Sequence, residues 1–111
     1  MSFLKPSLPE ITVEELKTKM DRKDRFILLD VREPHEFDQA RIPGARLIPL
    51  GTLESCLAQL NKSDEIVIHC RSGGRSARAV HFLCARGFRA FNLAGGIQAW
   101  CERIDPSISV D

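Results

Sequence analysis

With 111 residues, 43% of them hydrophobic and 28% charged, the chain is large enough to bury a core without covalent staples and reads as one domain. Sixteen lysines and arginines against fifteen acidic residues leave a formal charge of +1. That excludes a global pull toward nucleic acid or a membrane surface, so any charge selectivity must be local.

In chain order, the opening "MSFLKPSLPE" has no signal-type apolar run, and no stretch approaches bilayer-spanning length, so a cytoplasmic protein is expected. Thr12-Val13-Glu14-Glu15 has the form of a capping box and predicts a short helix to about Met20. "DRKDR" is a turn. "FILLDV" (26–31) is apolar at five of six positions, the pattern of a strand buried on both faces. Pro34 suits the first turn of a short helix, "PHEFDQA", and "IPGA" is a turn. "RLIPL" is extended, with Pro49 arguing for a sheet edge. "TLESCLAQL" (52–60) predicts a helix with Thr52 as N-cap, and "EIVIH" (65–69) a second buried strand. Residues Ser76 to Arg86 are predicted helical with Gly87 as the stop. "FRAFNLA" is a third strand and "GGIQAWCERI" a last helix. Strands alternating with helices predict an α/β domain with a mainly parallel sheet, whose ligands sit at the carboxyl ends of the strands.

At that end of the 65–69 strand stands "HCRSGGRS" (69–76). If a helix starts near Arg75, the amides of residues 71–76 can converge just beyond the strand, with Gly73 and Gly74 supplying the left-handed turns this needs. Beside a helix N-terminus this makes an anion cradle with Cys70 at its floor, which favours the thiolate. Three arginines and no acidic residue lie between His69 and Arg78, reinforcing the effect. The expected chemistry is a nucleophilic thiol that attacks, or holds covalently, something anionic. The competing reading is a plain turn with a small buried cysteine.

The four cysteines (56, 70, 84 and 101) contain no Cys-x-x-Cys pair and no metal spacing with the three histidines. Free thiols, with no metal or cofactor, are expected. Cys84 is expected in the core with Val80 and Leu83, and Cys56 and Cys101 on helices away from the chemistry. Alternation along the strand turns His69 away from the Cys70 thiol, so it is read as structural. His35 and His81 are read as surface or packing residues.

The segments "LLDVREPHEFDQARIPGARLIPL", "IVIHCRSGGRSARAVHFLCARGF" and "NLAGGIQAW", in this order over about residues 9–103, together resemble the rhodanese homology domain in its short single-domain form. The resemblance implies a parallel five-stranded sheet flanked by helices. It also implies a sulfurtransferase moving sulfane sulfur from thiosulfate, or a similar donor, to a thiol or cyanide acceptor through a persulfide on Cys70. By the same likeness Arg71, Ser72, Gly73, Gly74, Arg75 and Ser76 are the loop that holds donor and persulfide. The same likeness makes Arg71 and Arg75 the side chains that neutralise the donor. Asp30 and Arg32 match the family's "DVR" element; from the residues alone they are a structural ion pair. Gly95 and Gly96 match a "GG" turn, read here as tight backbone packing. Arg41 departs from the histidine often found before "IPGA".

Three rivals remain. Phosphatases and arsenate reductases sharing this fold carry Cys-x5-Arg loops, whereas here four residues separate Cys70 from Arg75, a shorter loop that suits attack on sulfur. Non-catalytic rhodanese-like modules usually lack the cysteine. A persulfide carrier fed by a partner enzyme is the third.

Overall fold

The computed structural model describes residues 8–110. In chain order the elements are β1 (Glu10–Ile11), α1 (Val13–Asp21), β2 (Ile27–Asp30), α2 (Pro34–Gln39), β3 (Arg46–Leu47), β4 (Glu65–His69), α3 (Gly74–Cys84), β5 (Arg89–Leu93) and α4 (Gly96–Arg103). The strands form one parallel sheet in the order β1-β5-β4-β2-β3.

The unbroken apolar runs of β2 and β4 follow from helices on both faces. Leu29, Ile66 and Ile68 point into one core with Ala79, Val80 and Leu83 of α3. Leu28 and Val67, on the opposite face, meet Val13 and Leu16 of α1 and Ile97 and Trp100 of α4. Each strand therefore alternates between two cores rather than between core and water. The extended "RLIPL" piece lies at the sheet edge as β3, where Pro49 removes no ladder hydrogen bond.

The capping box forms as expected: Glu15 N donates to Thr12 Oγ1 (3.1 Å) and Thr12 N to Glu15 Oε1 (2.9 Å). A second, unforeseen box opens α2, where Glu33 and Glu36 each receive the other's backbone N–H, with Pro34 in the first turn. The two-residue β1, too short for a periodic signal, was not foreseen from the residues either.

The helix expected over 52–60 is corrected. Two short 3₁₀ segments occupy this stretch, Leu50–Thr52 and Glu54–Gln59, and Thr52 caps nothing; its hydroxyl donates to Pro49 O at 2.9 Å. The bonds Leu53 N to Leu50 O and Cys56 N to Leu53 O are i to i−3. Apolar residues at 50, 53 and 56 recur every third position, which three residues per turn place in one line against the core. The other boundaries hold within a few residues: α3 begins at Gly74, earlier than expected, and Gly87 at φ +87° follows its end. Among the described residues no helix is long and apolar enough to cross a membrane.

Candidate active site

β4 delivers Cys70 to the carboxyl edge of the sheet, and α3 starts four residues later. Gly73, with φ +120°, caps that helix; the conformation turns its amide back so that Gly73 N donates to Cys70 Sγ at 3.1 Å. The Ser76 hydroxyl lies 3.3 Å from the same sulfur. Burial, with only 1% of Cys70 exposed, pushes its thiol up; the Ser76 hydroxyl and the amides of Ser76, Gly73 and Ser72 outweigh it, and the net shift is downward. Gly74 is corrected as a turn glycine: it lies inside the helix, and a methyl group there would meet nothing within 4 Å.

Arg75 has a partner that the loop's own sequence does not show: Glu36 of α2 grips it in a two-point ion pair, Nη1 to Oε1 at 2.7 Å and Nη2 to Oε2 at 3.0 Å. Those hydrogen bonds, against the cost of burial, hold the Glu36 carboxyl at about 2. The acidic residue missing from the loop's own sequence thus arrives from 39 positions away. Two arginines at a helix start oppose its dipole, and this pairing answers one of them. Arg71 is exposed and has no ion-pair partner among the described residues.

Beneath the loop, Asp30 and Arg32 form the expected structural ion pair, buried and two-pronged: Nε to Oδ1 at 3.0 Å and Nη2 to Oδ2 at 2.7 Å. Arg32 Nη2 also donates to Ala40 O at 2.6 Å, fastening the end of α2 to the end of β2. His69 is fully buried. Its Nδ1 lies 3.5 Å from Cys70 O and its Nε2 3.8 Å from Asp30 Oδ2, so neither nitrogen is bonded to the thiol. Burial, only partly offset by Asp30, lowers its pKa to about 4 and leaves the ring neutral near pH 7.

The "GG" turn is tight backbone packing, as read. Gly95 and Gly96 have φ +79° and +61°, and the start of α4 donates Ile97 N to Cys70 O (2.9 Å) and Gln98 N to Arg71 O (3.0 Å). A Cβ on Gly96 would stand 2.5 Å from Arg71 O and 2.6 Å from Cys70 O. Behind the loop, Asn92 of β5 donates Nδ2 to Gly73 O at 3.3 Å. Sequence reasoning overlooked Glu36 and Asn92. Each sits on another element, and the one local signal was the "VREPHEF" and "FNLAGG" company they keep.

Of the other thiols, Cys84 is exposed, not core: one residue past Leu83, it leaves the buried stripe, and its Sγ rests 3.5 Å from Ala90 O. Cys56 is half-buried beside the first core, and Cys101 is buried beside Trp100. His35 and His81 are exposed.

The model of the rhodanese-like domain matches residues 12–103. This chain belongs to the rhodanese-like family. It is 35% identical over 101 residues to a sulfurtransferase of Allochromatium vinosum, covering 90% of this chain and 94% of that one. It is 42% identical over 100 residues to a Bacillus subtilis protein named as a sulfur carrier, covering 89% of this chain and 54% of the relative. The chain thus spans about half the length of that relative. A rhodanese-like domain protein of Staphylococcus aureus, solved by crystallography, superposes with a TM-score of 0.82 at 36% identity, covering 94% of this chain and 99% of the other.

Proposed function

We propose that this protein is a sulfurtransferase that carries sulfane sulfur as a persulfide on Cys70. The observation carrying the reading is the sulfur of a buried cysteine, at the carboxyl end of a central strand, receiving Gly73 N–H and Ser76 O–H. The relatives named as sulfurtransferase and sulfur carrier support sulfur transfer as the class of reaction.

With thiosulfate as donor, the Cys70 thiolate attacks the outer sulfur. The Sγ–S bond forms, the donor's S–S bond breaks, and the electron pair leaves with sulfite. The resulting anionic persulfide keeps the charge the thiolate had, so the donors that favour the thiolate also favour the product. A cyanide or thiolate acceptor then attacks the outer sulfur, leaves as thiocyanate or a new persulfide, and returns the Cys70 thiolate. Residues Arg71 to Ser76 hold donor and persulfide; Asp30 and Arg32 support the floor.

A carrier fed by a partner enzyme is the second reading, and the Glu36–Arg75 pair favours it. One of the two loop arginines already has its counter-charge, which weakens the case for a free dianion as the main donor.

Incubation of the reduced protein with thiosulfate, followed by intact mass and peptide mapping, tests the proposal. A gain of one sulfur atom on Cys70, absent in Cys70→Ser, is the expected result. Sulfur loading that survives in Cys70→Ser would overturn the assignment. A folded protein that loads from a protein-bound persulfide but not from thiosulfate would leave the carrier reading standing.

A further inference from the structure

We infer that Asn92 is a positioning residue: by occupying the carbonyl of Gly73 it directs the single Ser76 hydroxyl proton onto Cys70 Sγ. This deepens the reading of Cys70 as the reacting thiol and rests on it.

Ser76 Oγ lies at the same distance, 3.3 Å, from two acceptors, Cys70 Sγ and Gly73 O. A serine hydroxyl has one proton to give, so distance alone does not choose between them. The choice follows from counting the other donors. Gly73 O already accepts from Ala77 N at 3.0 Å, the first bond of α3, and from Asn92 Nδ2 at 3.3 Å. A carbonyl oxygen has two lone pairs, and these two donors fill them. The sulfur has the greater need, because a thiolate carries a full charge and hydrogen bonds to charged acceptors are the stronger ones.

The cost of Asn92 points the same way. The residue is 5% exposed, in register with the buried Ile68 of β4 on one side and the exposed Glu10 of β1 on the other. Its Oδ1 is buried and has no hydrogen-bond partner among the described residues, an expensive state for an amide oxygen. What the side chain does bond is Gly73 O alone. Gly73 has its own amide on the sulfur, so fixing its carbonyl also fixes the plane of the peptide beside the thiolate. Ala90, two residues earlier on the strand, packs toward α3, and alternation puts the Asn92 side chain on that same face.

The test is the pH dependence of Cys70 alkylation by iodoacetamide, read on the Cys70 peptide by mass spectrometry, since three other thiols are present. Four proteins are compared: wild type, Asn92→Ala, Ser76→Ala and the double variant. Ser76→Ala is expected to raise the alkylation pKa by about one unit, from the loss of one hydrogen bond to a charged sulfur. Asn92→Ala is expected to reproduce a large part of that shift, slowing alkylation at pH 7 several-fold. In the Ser76→Ala background the same Asn92→Ala change should do nothing, because it acts through the hydroxyl. Equal shifts in both backgrounds would mean that Asn92 merely shapes the loop, and no shift in either would mean that Ser76 needs no direction; both overturn the inference. If Asn92→Ala fails to fold, Asn92→Leu removes the donor and the orphan oxygen together while keeping the branching and the number of side-chain heavy atoms. Alkylation needs no sulfur donor. A wild-type protein that fails to load sulfur therefore removes the function, and an additive double variant removes the role of Asn92.

Discussion

Replacing Gly96 by alanine tests whether α4 is docked on the loop through bare backbone. A methyl group there would stand 2.5 Å from Arg71 O, 2.6 Å from Cys70 O and 2.7 Å from Arg71 C, all main-chain atoms that no rotamer change can move. The residue sits at φ +61°, which costs an L side chain about 1–2 kcal/mol. Relief requires the two carbonyls to retreat by roughly an ångström, which breaks Ile97 N–Cys70 O and Gln98 N–Arg71 O, at about 1 kcal/mol each. The sum is about 3–4 kcal/mol. Gly44 is the matched control: it too has positive φ, +86°, but a methyl there meets nothing within 4 Å. Gly44→Ala should therefore cost only the conformational part, about 1–2 kcal/mol. Urea denaturation of the two variants measures the difference, and sulfur loading of each reports the functional side. Gly96→Ala should load poorly even when folded, because the retreating carbonyl belongs to Cys70 itself, whereas Gly44→Ala should load normally. If Gly96→Ala is no costlier than Gly44→Ala, the docking account is wrong.

Acid should destabilise the protein in two steps. The folded pKa of His69, about 4, lies below its ordinary 6.5, so the unfolded chain takes up the proton first and stability falls as pH drops from about 6.5 to 4. By pH 5 the loss is about 2 kcal/mol. Glu36, held at about 2 against an ordinary 4.5, adds a further loss as pH drops from 4.5 toward 2. Urea midpoints across this range, with His69 titrated by NMR, check the first step; a His69 that titrates near 6.5 would remove it. Glu36→Gln should release the Arg75 charge, lower the thiosulfate concentration needed for half-maximal loading several-fold, and steepen its salt dependence. A weaker response to thiosulfate in Glu36→Gln would show instead that Glu36 aims Arg75 at the donor.

The parts of this fold legible in the sequence were those written in contiguous patterns. The double-faced strands at 26–31 and 65–69, the capping box at Thr12, and the glycine that follows α3 each combine a local preference with a local partner. The cysteine loop was legible for the same reason, since strand, thiol, glycine and helix follow without interruption. What escaped came from chain pairs far apart. Glu36 looked like one more acid on a short helix, yet it completes a second capping box and closes on Arg75. Asn92 looked like an ordinary polar residue in a strand, because nothing local says which carbonyl its amide will find. The 3₁₀ stretch escaped for a subtler reason: leucines at 50, 53, 57 and 60 have α-helical spacing, and they mask the every-third-position set of Leu50, Leu53 and Cys56 that a 3₁₀ pitch lines up.

These distances also bear on how such a thiol is activated. A neighbouring base would do it by removing the proton, but His69 is the adjacent candidate and it is bonded elsewhere, neutral and buried. A free cation would do it by charge, but Arg75 is balanced by Glu36. Arg71, though without an ion-pair partner among the described residues, lies exposed to solvent where its charge is screened. What remains on the sulfur is a set of oriented donors: the Gly73 amide and the Ser76 hydroxyl within 3.3 Å, with the amides of Ser72 and Ser76 beside them. Fixed dipoles against a buried sulfur act at contact range and are screened far less by salt than exposed charges are. The two layers of the site therefore separate by their response to ionic strength. The thiolate population of Cys70 belongs to the buried dipoles and should be nearly indifferent to salt. If Arg71, exposed at the surface, captures a charged donor as proposed, that capture should weaken as salt is added.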